Sequence, residues 1–264
     1  MIDDNLMRFY QLSFDLIRWR RWFWINYHQI QRWKSNGIKI PNTIQIIGRS
    51  CFEKSELKEI EFEENSQLIL IGDGSFSEAK IEIINIPDSV LSLGTSAFAQ
   101  SNLKIVNISD YSNLTQIGAS AFYRTDIKEI NLVNKLEYIG SFAFCESELR
   151  TVYIPKNVYY FASNAFASCH YLQNIYVDDD NEKYVDIDGV VYTKDLSVIY
   201  EYPAGKENTS YEINKTVTTI GKYAFYGSYN LTQMTLHEGI TKVDEYGFYD
   251  CIHVQSYSLP ESLE

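Results

Sequence analysis

The chain is poor in the residues that carry most enzyme chemistry. Its 264 residues include only four cysteines, Cys51, Cys145, Cys169 and Cys251, far apart and with no C-x-x-C pair. That spacing excludes the common zinc sites and a thioredoxin-like dithiol, and a chain this long builds a core without disulfide staples. Four histidines, His28, His170, His237 and His253, are scattered, and no G-x-S-x-G, H-E-x-x-H or phosphate-cradling glycine loop is present. No nucleophile elbow, zinc-protease helix or nucleotide loop is therefore expected. Apolar runs are short, well below the ~18 residues of a membrane-spanning helix. Asp3, Asp4 and the early arginines leave no secretory signal. Positive charge is also scarce: 23 Lys and Arg face 35 Asp and Glu, a formal charge of −12. Gripping nucleic-acid phosphates needs clustered Lys and Arg, so a nucleic-acid partner is not expected.

What is present is aromatic and periodic. There are 21 tyrosines and 14 phenylalanines. Eight phenylalanines, Phe52, Phe76, Phe98, Phe122, Phe144, Phe166, Phe225 and Phe248, are separated by 24, 22, 24, 22, 22, 59 and 23 residues. Five positions before each lies an apolar or aromatic residue, such as Ile47, Ile117 or Phe161, and the next position is glycine in six of the eight units. After each comes an L-x-x-I-x-I triplet, as in Leu57, Ile60 and Phe62 or Leu149, Val152 and Ile154. A unit this short buries no apolar face alone, but stacked copies share a continuous core. The alternating end of the triplet predicts a short strand with one face inward, pairing in parallel with its neighbours roughly 4.8 Å away. The glycine suits a tight turn or close approach to the next rung, and the phenylalanine rings are expected to stack along the coil.

The unit I-P-x-x-V-x-x-I-G-x-x-A-F-x-x-S-x-L-x-x-I-x-I-P resembles the BspA-type leucine-rich repeat of microbial surface proteins. "IPDSVLSLGTSAFAQSNLKIVNI" (86–108) and "IPKNVYYFASNAFASCHYLQNIYV" (154–177) carry the likeness best. The resemblance covers about 38–260. It implies a β-rich solenoid, a right-handed leucine-rich-repeat coil of about eight rungs of 22–24 residues with a parallel strand sheet. It also implies a role in adhesion or surface interaction with a protein or glycan, such as a host or extracellular-matrix protein, and a secreted or cell-surface location.

Two segments break the rhythm. Residues 1–37 carry six Lys or Arg against three Asp, and Phe9, Leu12, Leu16, Trp19, Phe23, Ile30 and Trp33 fall at helical spacing. This predicts an amphipathic helical cap over 1–37, preceding a solenoid over 38–264. Such a basic helix is also the one place where membrane contact is expected. The 59-residue interval predicts an insertion over 178–212 containing a hairpin, with arms at 190–193 and 196–202, that replaces or decorates a rung and is dispensable for folding. The acidic run 178–188 fails as a calcium loop, because counting from Asp178 puts Lys183 where glycine belongs.

Chemistry has one weak foothold: Cys169 beside His170, and Cys251 near His253. Both cysteines occupy the third place after a repeat phenylalanine, a site for small tucked side chains, so structural thiols are expected. No catalytic, cofactor or metal set is assigned. A binding surface is. The residue between the last two apolar positions of each triplet must face outward, giving the column Glu61, Asn85, Asn107, Asn131, Tyr153, Tyr176, Thr235 and Ser258. Exposed tyrosines on a rigid concave sheet suit binding. Tyr153 and Tyr176, flanked by Arg150 and Asn174 and continued by Asn131 and Asn107, form the predicted partner site. The alternative role is an intracellular interaction scaffold using the same surface.

Overall fold

The structure, a computed structural model, describes residues 24–25 and 36–263. The repeat becomes a coil in which every turn but the one that includes 127–132 contributes two short strands. The first column consists of two-residue strands, Trp24–Ile25, Ile46–Ile47, Leu70–Ile71, Ser92–Leu93, Gln116–Ile117, Tyr138–Ile139 and Tyr160–Phe161, joined in one parallel seven-stranded sheet. The triplets form the second column, paired in parallel as Gly37–Ile40 with Glu59–Phe62, Ile83–Ile86 with Ile105–Ile108, and Thr151–Ile154 with Asn174–Val177. Alternation decides which side chains enter: in Ile83–Ile86, Ile84 and Ile86 are buried while Ile83 and Asn85 are exposed. Proline opens the return turn, as where the Val90 N–H donates to the Pro87 carbonyl at 3.0 Å and the Val158 N–H to the Pro155 carbonyl at 3.2 Å.

The phenylalanines stack. Ring centroids from Phe52 through Phe76, Phe98, Phe122 and Phe144 to Phe166 lie 4.9–5.3 Å apart and nearly parallel. Beneath them the backbone is tied rung to rung, the Phe122 N–H donating to Ala143 O (2.7 Å) and the Phe144 N–H to Ala165 O (2.8 Å). The recurring glycine is there for close approach: a Cβ on Gly118 would lie 2.6 Å from the Gly94 carbonyl carbon, and one on Gly140 2.5 Å from the Ala119 nitrogen.

Both rhythm-breaking segments depart from expectation. Most of the helical cap expected over 1–37, and with it the expected membrane contact, lies outside the described residues. Trp24 and Ile25 inside it form a parallel strand on Ile46 and Ile47, so the helix does not run continuously through this span. The cause is the repeat itself: Ile25 stands 22 residues before Ile47, and Ile38 and Ile40 stand 22 before Ile60 and Phe62. Among the described residues there is no helix, and none long and apolar enough to cross a membrane.

The insertion is not a decoration. Val190–Thr193 and Val198–Glu201 pair antiparallel as the expected hairpin, Tyr184–Ile187 adds a further antiparallel strand to Val190–Thr193, and Val198–Glu201 pairs in parallel with Thr219–Ile220 on its other side. Ser210–Glu212 then pairs in parallel with Gln233–Thr235. The segment thus supplies both strands of a rung. Tyr202 takes the ladder place, stacking on Phe225 at 5.1 Å, which continues to Phe248 at 5.3 Å. At this splice, Phe166 finds no backbone carbonyl; its N–H donates to Oε1 of the buried Glu201 at 3.2 Å. The apolar core is correspondingly in two clusters that meet on one strand, Val191 belonging to the first and Val190 and Tyr192 to the second.

Candidate interaction surface

The outward column falls as the alternation requires. Tyr153 and Tyr176 are register partners on adjacent strands, their rings stacked at 5.2 Å and 67% and 36% exposed. Asn107 is the register partner of Asn85, and its amide donates to the Asn85 Oδ1 at 2.7 Å. Lys39 and Glu61 pair at 2.7 Å in the same column.

A groove of about 1280 Å³ lies on this face, lined by Asn107, Asn131, Arg150 and Tyr153 together with Asn85, Lys104, Ile105 and Lys128. Four of the six predicted residues therefore share one depression. Its origin is local. The rung at 127–132 forms no strand between Ile105–Ile108 and Thr151–Ile154. In regular rungs the carbonyl ending the triplet accepts the next turn's backbone N–H, as Ile40 O does from Glu63 and Ile154 O from Asp178. Here Ile108 O accepts the Asn131 side-chain amide (3.1 Å), which also donates to Asp110 Oδ1 (3.0 Å). Asn131 breaks the ladder and opens the groove.

The other two predicted residues sit beside the groove rather than in its lining. Tyr176 continues the platform from Tyr153. Asn174 is engaged from below: Lys206 Nζ donates to its Oδ1 at 3.3 Å, and it packs against Gly189, where an added Cβ would lie 2.5 Å from that oxygen. Ile83 and Ile105, exposed at 49% and 47% and paired in register, add an apolar strip that the column argument missed. The signal was available, since they lie two residues before Asn85 and Asn107 and share their face.

Lys104–Glu82 and Lys128–Glu148 pairs cross the rungs at 2.9 and 3.6 Å. Exposed pairs of this kind fix side-chain positions more than they stabilise. Arg150 has no ion pair among the described residues and leaves its guanidinium available at the groove edge.

The cysteines take no part. All four are buried and none forms a disulfide. Burial pushes the Cys169 thiol up to about 12 and the Cys251 thiol up to about 11, the opposite of what a nucleophile needs. Cys169 donates to Phe144 O at 3.1 Å, while the His170 ring packs against Tyr229 at 4.8 Å. The sequence neighbours Cys169 and His170 thus have different partners.

Known proteins share this repeat. The profile of the BspA type leucine rich repeat region matches in six copies, over residues 26–136, 92–187 and 200–264. Among solved structures, the pneumococcal vaccine antigen PcpA aligns over 87% of this chain and 52% of its own, with 32% identity and a TM-score of 0.65. A leucine-rich repeat protein from Eubacterium ventriosum aligns over 79% and 62%, at 22% identity and TM-score 0.71. A leucine rich cell surface protein from Faecalibacterium prausnitzii aligns over 91% and 65%, at 20% identity and TM-score 0.66. The last two, at low identity, show the fold alone. The chain spans between half and two-thirds of the length of these structures. No curated protein matches the sequence significantly.

Proposed function

The chain belongs to the BspA-type leucine-rich repeat family, and from this premise we propose that it is a non-enzymatic protein-interaction module whose triplet face binds a protein partner. The observation that carries the reading is the stacked Tyr153–Tyr176 pair beside the groove. The rungs fold with Glu61, Asn85 or Thr235 at the same position, so two half-exposed aromatic rings there serve no folding need. Stacked tyrosines bury large contact area at small entropic cost, and Arg150 adds the side chain most enriched with them at binding hot spots.

A protein partner is favoured over a glycan, because the amides a sugar would use are already engaged: Asn107 with Asn85, and Asn131 with Ile108 and Asp110. Cell-surface display belongs to the same proposal, supported by the 32% identity to a pneumococcal vaccine antigen. An extracellular-matrix protein is the partner class to test first.

The test compares wild type with Tyr153→Ala/Tyr176→Ala, confirmed folded by circular dichroism, in matched pull-downs from extracellular-matrix extract. A species held by wild type and lost by the variant, then titrated as purified protein, is the expected outcome. Equal retention by the two proteins moves the site off this face.

A further inference from the structure

A second aromatic surface lies on the turn edge between the two strand columns. Two places before the ladder phenylalanine, every rung from Phe52 to Phe144 and both last rungs hold a residue in left-handed backbone. Early rungs use Ser50, Gly74, Ser96 and Ser120; later ones use Phe142, Tyr223 and Tyr246, with φ of 57°, 59° and 60°. A bulky aromatic is an outlier in that region, since its Cβ crowds the following carbonyl. Serine or glycine serves the coil equally well, so the rings are not placed there by the demands of the turn.

The rings meet. Phe142 touches Tyr223 edge-on at 6.1 Å, Tyr223 stacks on Tyr246 at 5.0 Å and Tyr226 on Tyr249 at 5.2 Å. Edge contacts of 5.8 and 5.6 Å join the two stacks. Tyr246 and Tyr249 end the patch at 51% and 52% exposure.

The turn that ends the patch is acidic. The last turn, "DEYGFYD" (244–250), has three acids and no base. Lys242 answers Asp244 and Lys222 answers Glu245, while Asp250 has no ion pair among the described residues and accepts the Tyr229 hydroxyl. A cation is already accommodated: Lys222 Nζ sits 5.5 Å from the Tyr223 ring centre. Ring faces attract ammonium and guanidinium groups, and neighbouring carboxylates add to the pull.

We propose that this turn edge docks a protein segment bearing arginine or lysine side chains, seated over Tyr246 and Tyr249 and paired with Asp250. The chain's formal charge of −12 would steer such a partner in at low salt. The surface is separate from the groove, and its failure would leave that reading untouched.

The probe is a synthetic peptide of alternating arginine and serine, titrated by calorimetry into the full chain at low and physiological salt. The variant Tyr246→Ser/Tyr249→Ala writes in the residues that the Phe98 rung carries at the same places, Ser96 and Ala99, so its fold is retained. It is expected to bind about tenfold more weakly with an unchanged melting temperature. Asp250→Asn, which leaves the rings intact, should lower the affinity and flatten its salt dependence. Tyr153→Ala/Tyr176→Ala should bind the peptide as wild type does. Peptide binding that is absent, equal in wild type and Tyr246→Ser/Tyr249→Ala, or lost in the groove variant overturns the proposal.

Discussion

Phe76, Phe98, Phe122 and Phe144 are each covered on both sides by another ladder phenylalanine, so removing one ring leaves two others facing a void. Phe122 lies mid-ladder, fully buried, 5.3 Å from Phe98 and 5.2 Å from Phe144. Phe122→Ala should cost about 3–5 kcal/mol, the range for buried aromatics, because the tightly tied rungs have little freedom to collapse into the space. Urea unfolding followed by circular dichroism measures it, and a near-normal midpoint would show that the stack contributes little. This ladder was legible in the sequence, as was the outward tyrosine pair, because both follow from strict spacing. The role of Asn131 was not. Its position in the column predicted exposure, but that its amide would capture Ile108 O and open a groove depends on a hydrogen bond between turns, which spacing does not encode.

Elements that interrupt the repeat were the harder reading. The hairpin was visible as two β-rich arms, yet spacing left open whether it replaces or decorates a rung, because the ladder phenylalanine gives way to Tyr202 and the backbone acceptor to a side chain. Near the N-terminus a repeat position lies inside the helical spacing: Ile25 stands 22 residues before Ile47 and pairs with it as a strand. Glu201 is the residue that makes the splice work. In regular rungs the residue just before the ladder ring offers its carbonyl, as Ala143 does to Phe122; Glu201 stands in that place and offers its carboxylate to the Phe166 N–H. Its Oε2 has no partner, and burial holds the carboxyl well above its ordinary value of 4.5. The folded state therefore binds this proton more readily than the unfolded chain, so stability falls as pH rises above about 4.5 and is restored by acid. Glu201→Gln keeps an acceptor for Phe166 without the charge. It should equal or exceed wild-type stability at neutral pH, with the gap closing as pH falls toward 4.5. Glu201→Ala should instead cost about 1–3 kcal/mol through the orphaned N–H. Parallel pH–stability curves for wild type and Glu201→Gln would mean the carboxyl is not desolvated.

Across the whole molecule, stability is carried from turn to turn, so the weakest interface decides how the coil comes apart. Within each ladder segment that interface is ring on ring, with backbone bonds beneath. At the splice it is the hairpin, whose Val191 packs into the first core and Val190 and Tyr192 into the second, aided by Tyr200, whose ring meets Phe161 at 5.0 Å and whose hydroxyl donates to Phe161 O. Beyond it the ladder shortens to Tyr202, Phe225 and Phe248. The sequence reading of the insertion as dispensable thus reverses. Replacing residues 190–212 with a glycine–serine linker would remove the parallel partners of Thr219–Ile220 and Gln233–Thr235 and take Tyr202 off Phe225. The turns before the splice, with six stacked phenylalanines from Phe52 to Phe166, have their own core and should persist. We expect the linker variant to keep slow amide exchange at Phe76, Phe98 and Phe122 while Phe225 exchanges as in an unfolded chain. If Phe225 stays as protected as in wild type, the hairpin is an ornament after all, and the two cores are joined by the turn-edge contacts instead.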